Sequence, residues 1–418
     1  MSRLPLRLLA FLTLVNILNY FDRYIVQAVE PTLKGEFALS NQQSGLLGSA
    51  FVLGYVVFSP LFGFLGDKFD RRVLMAVGLL GWSLCTGLSG IAESFGLFFV
   101  ARTLVGVGEA SFGAIVPSYL KGRIPDMVAL NSALSIFYVA IPVGSALAYV
   151  AGGHIAATWG WRALFIGAVV PGLLLAFGFS RIAAEDGERS EKAESYSFLS
   201  GIKAIVGSPV LRLSIIGYIL NTFALNGIAM FVVRHVVGLG VDEATAAQNF
   251  GINLAVTGFV GALFGGQLAS KLVAKSSNQI RGLLLFVGVT TLMGVPFLST
   301  AFMVNSPLLF LASCFVAQIA LFAGTAPLNS VLVGRAPVGL EAFTQGITIF
   351  AIQLFGGALG PILIGQVADV LVSVLAFDQR SALAYALQLS SVAMVGSGLF
   401  YLWAARKEIG RAPVLSDS

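Results

Sequence analysis

Twelve apolar stretches of membrane-spanning length recur along the chain and constrain its fold more than any other feature. They lie near residues 6–30, 43–66, 73–93, 95–120, 128–153, 161–180, 209–233, 244–270, 282–302, 306–331, 341–369 and 380–403. Each reaches about the 20 residues that a bilayer requires. Of the 418 residues 57 % are hydrophobic and 11 % charged, against about 25 % charged in an ordinary soluble domain. With a mean hydropathy of +0.89, no soluble core could hide this much apolar surface. Backbone polar groups find no water in hydrocarbon, so runs of this length predict helices, which satisfy their own hydrogen bonds. The expectation is an all-α, multi-pass integral membrane protein. The first run is too long for a signal-peptide core and lacks a clear cleavage site, which predicts a retained first helix.

The net charge of +5 follows topology rather than a nucleic-acid partner. Among the 25 lysines and arginines, Lys34, Arg162, Arg234 and Arg380 fall on one side, while Arg23 and Arg102 lie within spans. All the others fall on the opposite side. Basic loops face the cytoplasm, so both termini are expected there. Cys85 and Cys314 both lie in apolar runs and predict no disulfide framework. His154 and His235 have no metal-ligand companions at useful spacing, so no metal or other cofactor is expected. Gly106-Val-Gly108 follows no strand, which removes a dinucleotide site, and no Ser/His/acid set argues for an enzyme.

A charged stretch between the sixth and seventh runs holds Glu185, Asp186, Glu188, Arg189, Glu191, Lys192 and Glu194. It divides the chain into an N-terminal six-helix bundle (1–180), a cytoplasmic linker (181–208) and a C-terminal six-helix bundle (209–418). Within the linker, Tyr196 to Val206 could form a short helix along the membrane surface. The halves show a degenerate repeat, as transporter halves often do. Gly63-Phe-Leu-Gly-Asp67-Lys-Phe-Asp-Arg71-Arg72 follows the second run, and Gly266-Gln-Leu-Ala-Ser270-Lys271 follows the eighth. Ser270 replaces the acid, so pseudo-symmetric halves with different jobs are expected. Pro117, Pro142 and Pro361 predict kinks within spans. Clustered glycines predict close helix packing, or helices that slide.

Charge inside the spans points to function. Asp22 and Arg23 lie within the first run, Arg102 and Glu109 within the fourth. A charge near mid-bilayer costs roughly 2.5–3.5 kcal/mol on insertion scales and normally faces water or another charge. At 1.5 Å per residue, Arg23 and Arg102 lie about 7–9 Å outward of their span centres, with Glu109 near its centre. Asn16, Asn19, Arg23, Gln27 and Glu30 form a polar stripe at helical spacing. One reading is an Asp22–Arg102 ion pair that only joins helices. The functional reading takes Arg23 and Arg102 as anion-recognising forks, one of them exchanging partners between substrate and carboxylate. Desolvation favours a neutral carboxyl, which makes Glu109, with Asp22 second, the candidate proton carrier. Asn19, Tyr55 and Asn329 complete the candidate substrate-binding set.

The second half carries Asn221, Asn226, Asn249, Asn253, Thr257, Gln318, Thr325, Asn329, Gln345 and Gln353, with no acid or base near a span midpoint. Interhelical hydrogen bonding explains these equally well. A cavity charged on one side and neutral on the other would suit an amphipathic ligand. Gly63, Asp67, Arg71 and Arg72 form a candidate conformational latch, with Asp67 near a helix N-terminus and the basic residues pairing to neighbouring helices.

Gly63-x-Leu65-x-Asp67-Lys68-x-Asp70-Arg71-Arg72 resembles the loop signature of the major facilitator superfamily. Arg102-x-x-x-Gly106-x-Gly108-Glu109 is similar to that superfamily's fourth-helix motif, and Trp159-Gly-Trp-Arg162 to the start of its sixth helix. Asp70 stands where the broad superfamily usually has glycine. Asn19-Tyr20-Phe21-Asp22-Arg23, Pro60-Leu-Phe-Gly-Phe-Leu-Gly-Asp67, Gly106-Val-Gly-Glu109-Ala-Ser111 and Pro142-Val-Gly-Ser145 resemble the spinster-like branch, in a compact bacterial form. The resemblance implies the major facilitator fold, alternating access and a lysolipid or sphingosine-1-phosphate type of substrate, with proton coupling. It places the charged cavity residues on Asp22, Arg23, Arg102 and Glu109. The chain is then a multi-pass protein of a bacterial inner membrane, a monomer among membrane lipids. The rival readings are a proton-coupled carrier of small organic anions or drugs, and a non-transporting lipid sensor.

Overall fold

The computed structural model describes residues 6–39, 41–185 and 196–408. Helices α1 (Leu6–Glu36), α2 (Asn41–Lys68), α3 (Arg71–Gly90), α4 (Phe95–Arg123), α5 (Met127–Tyr138), α6 (Ala140–Trp159) and α7 (Trp161–Glu185) make the first six spans. A short α8 (Phe198–Gly207) leads to α9 (Pro209–Val237) and α10 (Glu243–Val260), which continues through a π-helical stretch, Gly261–Gly265, into α11 (Gly266–Val273). Then come α12 (Gln279–Met303), α13 (Pro307–Ala323), α14 (Thr325–Arg335) and α15 (Glu341–Ala351). A second π-helical stretch, Ile352–Ala358, joins α15 to α16 (Leu359–Ser373), and α17 (Gln379–Lys407) closes the order. Twelve of the resulting spans are long and apolar enough to cross a membrane, and no strand occurs among the described residues.

The helix predicted for Tyr196 to Val206 is α8. Asp186, Glu188, Arg189, Glu191, Lys192 and Glu194 of the expected linker lie outside the described residues, as do both chain ends.

Proline sets the interruptions. Pro142, Pro327 and Pro361 each stand third in a restarted helix: α6, α14 and α16. Proline has no N–H to donate, and its ring clashes with the carbonyl four residues back. Those carbonyls belong to Tyr138, Ala323 and Gly357, at or next to the end of the preceding helical piece. Pro117 behaves differently, because α4 runs through it.

The chain forms two compact units. The first comprises Met1–Ile124, Ile136–Ile202 and Ala336–Phe350; the second comprises Pro125–Ser135, Lys203–Arg335 and Ala351–Ser418. Each therefore holds one short segment that is distant in sequence from the rest. In the first unit, Ile25, Val26, Val29 and Leu33 of α1 pack in a core with Phe98, Trp161 and Phe165. Helices α2 and α4 meet through glycine, which lets two backbones approach closely. A methyl group on Gly54 would stand 2.1 Å from the Thr103 carbonyl oxygen, and one on Gly106 2.1 Å from that of Phe51. That approach holds the Phe51–Tyr55 turn of α2 against the charged turn of α4.

Candidate functional site

The first unit gathers the mid-span charges into two adjoining arrangements. Asp22 and Arg23 are neighbours on α1, and successive residues on a helix point in different directions. Arg23 Nη2 lies 3.1 Å from Glu109 Oε2 and 3.5 Å from Asn19 Oδ1. Its guanidinium sits over three rings, 4.5 Å from Phe51, 4.7 Å from Tyr20 and 4.8 Å from Tyr55. Cation–π attraction of this kind strengthens with desolvation. Phe51 and Tyr55 stack at 5.3 Å, four residues apart on one face of α2. The Glu109 side chain is wholly buried, whereas that of Arg23 keeps 16 % of its surface exposed. The arginine is thus the accessible member of the pair.

Asp22 faces α3, where its Oδ2 accepts from Thr86 Oγ1 at 3.4 Å. Arg102 Nη2 donates at 2.7 Å to the backbone carbonyl of Asp22, not to its carboxylate. The ion pair considered from the sequence is therefore replaced by a charge-to-carbonyl bond. Polar capacity remains open in both arrangements. Asp22 Oδ1, Arg23 Nε, Arg102 Nε and Nη1, and Glu109 Oε1 are buried without a hydrogen-bond partner among the described residues. Buried charges are normally satisfied, so such a concentration is chemically unusual. It fits groups that change partners.

The rest of the polar stripe divides. Asn16 is buried and donates to the Phe137 carbonyl at 3.1 Å, Gln27 is exposed, and the side chain of Glu30 lies outside the description. Asn329 belongs to the second unit, where its Nδ2 donates to Thr325 O at 2.9 Å within α14. Asn253, Thr257 and Gln318 act mainly between helices. Thr257 Oγ1 donates to Gln318 Oε1 at 2.7 Å, and Asn253 Nδ2 to Leu311 O at 3.0 Å. The sequence did not single out Tyr20 and Phe51 as members of the Arg23 site. Their spacing, three before Arg23 and four before Tyr55, was the available signal.

The loop residues make a separate arrangement. Buried Asp67 accepts the backbone N–H groups of Ala342 at 3.0 Å and Phe343 at 2.8 Å, in the first turn of α15. Arg71 Nη2 lies 3.0 Å from Asp67 Oδ1 and 3.6 Å from Glu341 Oε2. Tyr196 donates to Asp67 Oδ2 at 3.4 Å. A methyl group on Gly63 would meet the Ala342 carbonyl oxygen at 2.5 Å, so glycine is what lets α15 approach. Arg72 pairs with Asp70 at 2.8 Å, and Asp70 caps α3 by accepting from Arg72 N. This bond to Arg72 holds the Asp70 carboxyl below its usual range. Burial, and after it the Asp67 carboxylate, push the Tyr196 phenol up.

Twelve spans, a degenerate repeat and a buried charge cluster on α1 and α4 describe a membrane carrier. Residues 12–361 match the profile of the Major Facilitator Superfamily. Protein spinster homolog 1 of Xenopus laevis is 30 % identical over 418 residues, covering 92 % of this chain and 78 % of the relative. Sphingosine-1-phosphate transporter SPNS2 of Danio rerio is 28 % identical over 433 residues, covering 96 % of this chain and 84 % of the relative. The crystal structure of a bacterial homologue of the human lysosomal transporter Spinster, inward-facing and unoccupied, has the same fold. It superposes with a TM-score of 0.64 at 22 % identity, over 97 % of this chain and 98 % of that one. The chain belongs to the Major Facilitator Superfamily, in its spinster family. It is a multi-pass membrane transporter and not an enzyme.

Proposed function

We propose that the chain is a proton-coupled secondary transporter that works by alternating access and carries an amphipathic anion of the lysophospholipid or sphingosine-1-phosphate type. The buried Arg23–Glu109 pair, with the arginine as its accessible member, carries this reading. A phosphate offers Arg23 a better-matched acceptor than a single carboxylate oxygen, because the guanidinium fork fits two phosphate oxygens. When Arg23 turns to the substrate, Glu109 is left desolvated without its cation. A proton then neutralises it, since an uncompensated buried charge is far costlier than a neutral acid. Arg102 serves as a second anion-recognising group and Asp22 as a second carrier, with Asn19, Tyr55 and Asn329 in the substrate site. The relatives named for spinster and sphingosine-1-phosphate transport support the lipid class.

The latch of Gly63, Asp67, Arg71 and Arg72 holds α15 in one state and releases it in the other. Charge distribution supports cytoplasmic termini, and the reading is completed by a monomer in a bacterial inner membrane. The test is purified protein in liposomes with an imposed pH gradient, offered lysophosphatidic acid, lysophosphatidylcholine, sphingosine-1-phosphate and small carboxylates. Gradient-dependent movement of the lipids, abolished in Arg23→Ala and no longer pH-dependent in Glu109→Gln, is the expected result. Movement of the small anions alone would overturn the lipid reading and leave the organic-anion carrier in its place.

A further inference from the structure

Two amide side chains in the second unit stand in mid-span without a structural task that explains them. Asn226 lies about 5 Å from the midpoint of α9, and Gln353 about 6 Å from that of its span. Asn226 is exposed and Gln353 half-buried. An amide turned to hydrocarbon would lose its hydrogen bonds, so exposure at this depth marks a water-filled path. Asn226 spends its Nδ2 on the Thr222 carbonyl at 3.1 Å, which leaves Oδ1 available as an acceptor. Gln353 has no hydrogen-bond partner among the described residues.

Gly357 sits between them. The three atoms nearest to a methyl group there would be Gln353 Oε1 at 2.8 Å, Gln353 Cδ at 3.8 Å and Asn226 Nδ2 at 3.9 Å, all of them amide side-chain atoms. Its neighbours behave differently. Methyl groups on Gly356 and Gly360 would strike the backbone oxygens of Ile219 at 2.6 Å and Phe223 at 2.4 Å, so those glycines serve helix packing. Gly357 instead leaves a notch whose nearest walls are the two amides. It lies in the π-helical stretch Ile352–Ala358. Such a stretch is rare and frequently found at functional sites.

We propose that Asn226, Gln353 and the notch at Gly357 form a polar subsite that receives a hydrogen-bond donor, a hydroxyl or an ammonium group, on the head of the transported amphiphile. This rests on the reading of the chain as a carrier of anionic amphiphiles, and assigns the second unit a different task from Arg23. The amides, offering Asn226 Oδ1 and Gln353 Oε1 as acceptors, read the donor. Anionic amphiphiles that lack a donor would be carried, but poorly.

The test uses the full chain in liposomes and three ligands of matched chain length: an alkyl phosphate without a donor, a lysophosphatidic acid with a hydroxyl, and a sphingosine phosphate with hydroxyl and ammonium. Wild type is expected to favour the donor-bearing ligands by about 3- to 10-fold, the worth of one neutral hydrogen bond. Asn226→Leu, Gln353→Leu and Gly357→Val are expected to remove that preference, so that the three ligands move at similar rates relative to one another. Preference for the lysophosphatidic acid alone, or for the sphingosine phosphate alone, identifies the donor as hydroxyl or ammonium. Ligand-induced thermal shifts of the same variants in detergent give the readout independently of transport. An unchanged preference in all three variants overturns the subsite and leaves the carrier reading intact. If wild type moves none of the three ligands, the carrier reading fails and the subsite with it.

Discussion

Asp67 Oδ2 accepts the backbone N–H of Phe343 at 2.8 Å, so an acid at the end of α2 caps a helix that begins hundreds of residues later. The two residues are 276 positions apart. The first turn of a helix leaves its N–H groups unsatisfied and carries the positive end of the dipole. Leu340, immediately before α15, has no side-chain oxygen to cap it. Asp67 supplies what Leu340 lacks, and Arg71 balances the charge.

Asp67→Ala would leave the buried amides of Ala342 and Phe343 without an acceptor, while Arg71 keeps the Gly66 and Ser118 carbonyls and Glu341, and is expected to destabilise the first unit by about 2–4 kcal/mol. Asp67→Asn keeps one acceptor and should recover about half of that loss. Thermal unfolding in detergent measures both. A cysteine placed at Ala342 should react faster with a water-soluble maleimide in the Asp67→Ala background. Equal stability of all three proteins would remove the capping account.

The twelve spans and the four mid-span charges were legible because a bilayer imposes length and forbids stray charge. Partner choice was less legible. Arg102 bonds the Asp22 carbonyl rather than its carboxylate, and side-chain chemistry alone does not encode that preference. The Gly63-to-Arg72 loop announced a latch near some helix N-terminus, yet not which one. Leu340, as a capping position without an oxygen, was the clue. Trp161 and Arg162 were noticed as a motif, but Glu36 was not, since nothing local joins the end of α1 to the start of α7. The restart at Pro327 was passed over among apolar residues, although its chemistry equals that of Pro142 and Pro361.

The Glu36 carboxylate receives hydrogen bonds from Trp161 Nε1 and Arg162 Nη1, and Arg162 Nη2 reaches the Ala92 carbonyl at 3.1 Å. These donors, Trp161 foremost, hold the Glu36 carboxyl below its ordinary value. A depressed folded value means that the stabilisation is complete above the ordinary carboxylate range and is lost as pH falls through the folded value. Both charged groups are more than a third exposed, which screens the contribution and keeps it small. Unfolding followed from pH 7 downward should therefore show wild type losing stability in the acid range relative to Glu36→Gln. The two curves should converge in strong acid. Parallel curves would mean that the tie contributes nothing.

The Arg23–Glu109 pair permits a separation of structure from transport. Removing one partner of a buried pair typically costs about 3–5 kcal/mol, while replacing both with apolar groups is often neutral. Arg23→Leu alone should lower stability in detergent at neutral pH, with part of the loss recovered in acid as Glu109 takes up a proton. The double variant Arg23→Leu/Glu109→Leu should regain most of the stability at every pH and still carry no anion. Transport by the double variant would remove the pair from the substrate site.

The second unit shows what the repeat became when the acid was lost. Ser270 occupies the place of Asp67, and its Oγ donates to the Val128 carbonyl at 3.1 Å while accepting from Asn131 Nδ2 at 2.9 Å. The helix it meets, α5, carries its own cap. Asp126 Oδ2 accepts the Ala129 N–H at 2.7 Å, in the manner of an N-cap aspartate. An acid at 270 would thus find the Ala129 amide already taken and, although Asn131 Nδ2 and Ser132 Oγ could still donate to it, would face the Val128 carbonyl, to which it cannot donate. Ser270→Asp, although it restores the repeat, is expected to cost about 1–3 kcal/mol. Asp126→Ala should cost about 1 kcal/mol alone, and less in the Ser270→Asp background, where the new acid can turn to the Ala129 amide that Asp126 vacates. A double-mutant cycle on unfolding in detergent measures this coupling. Strict additivity would show that the two capping schemes do not substitute for one another.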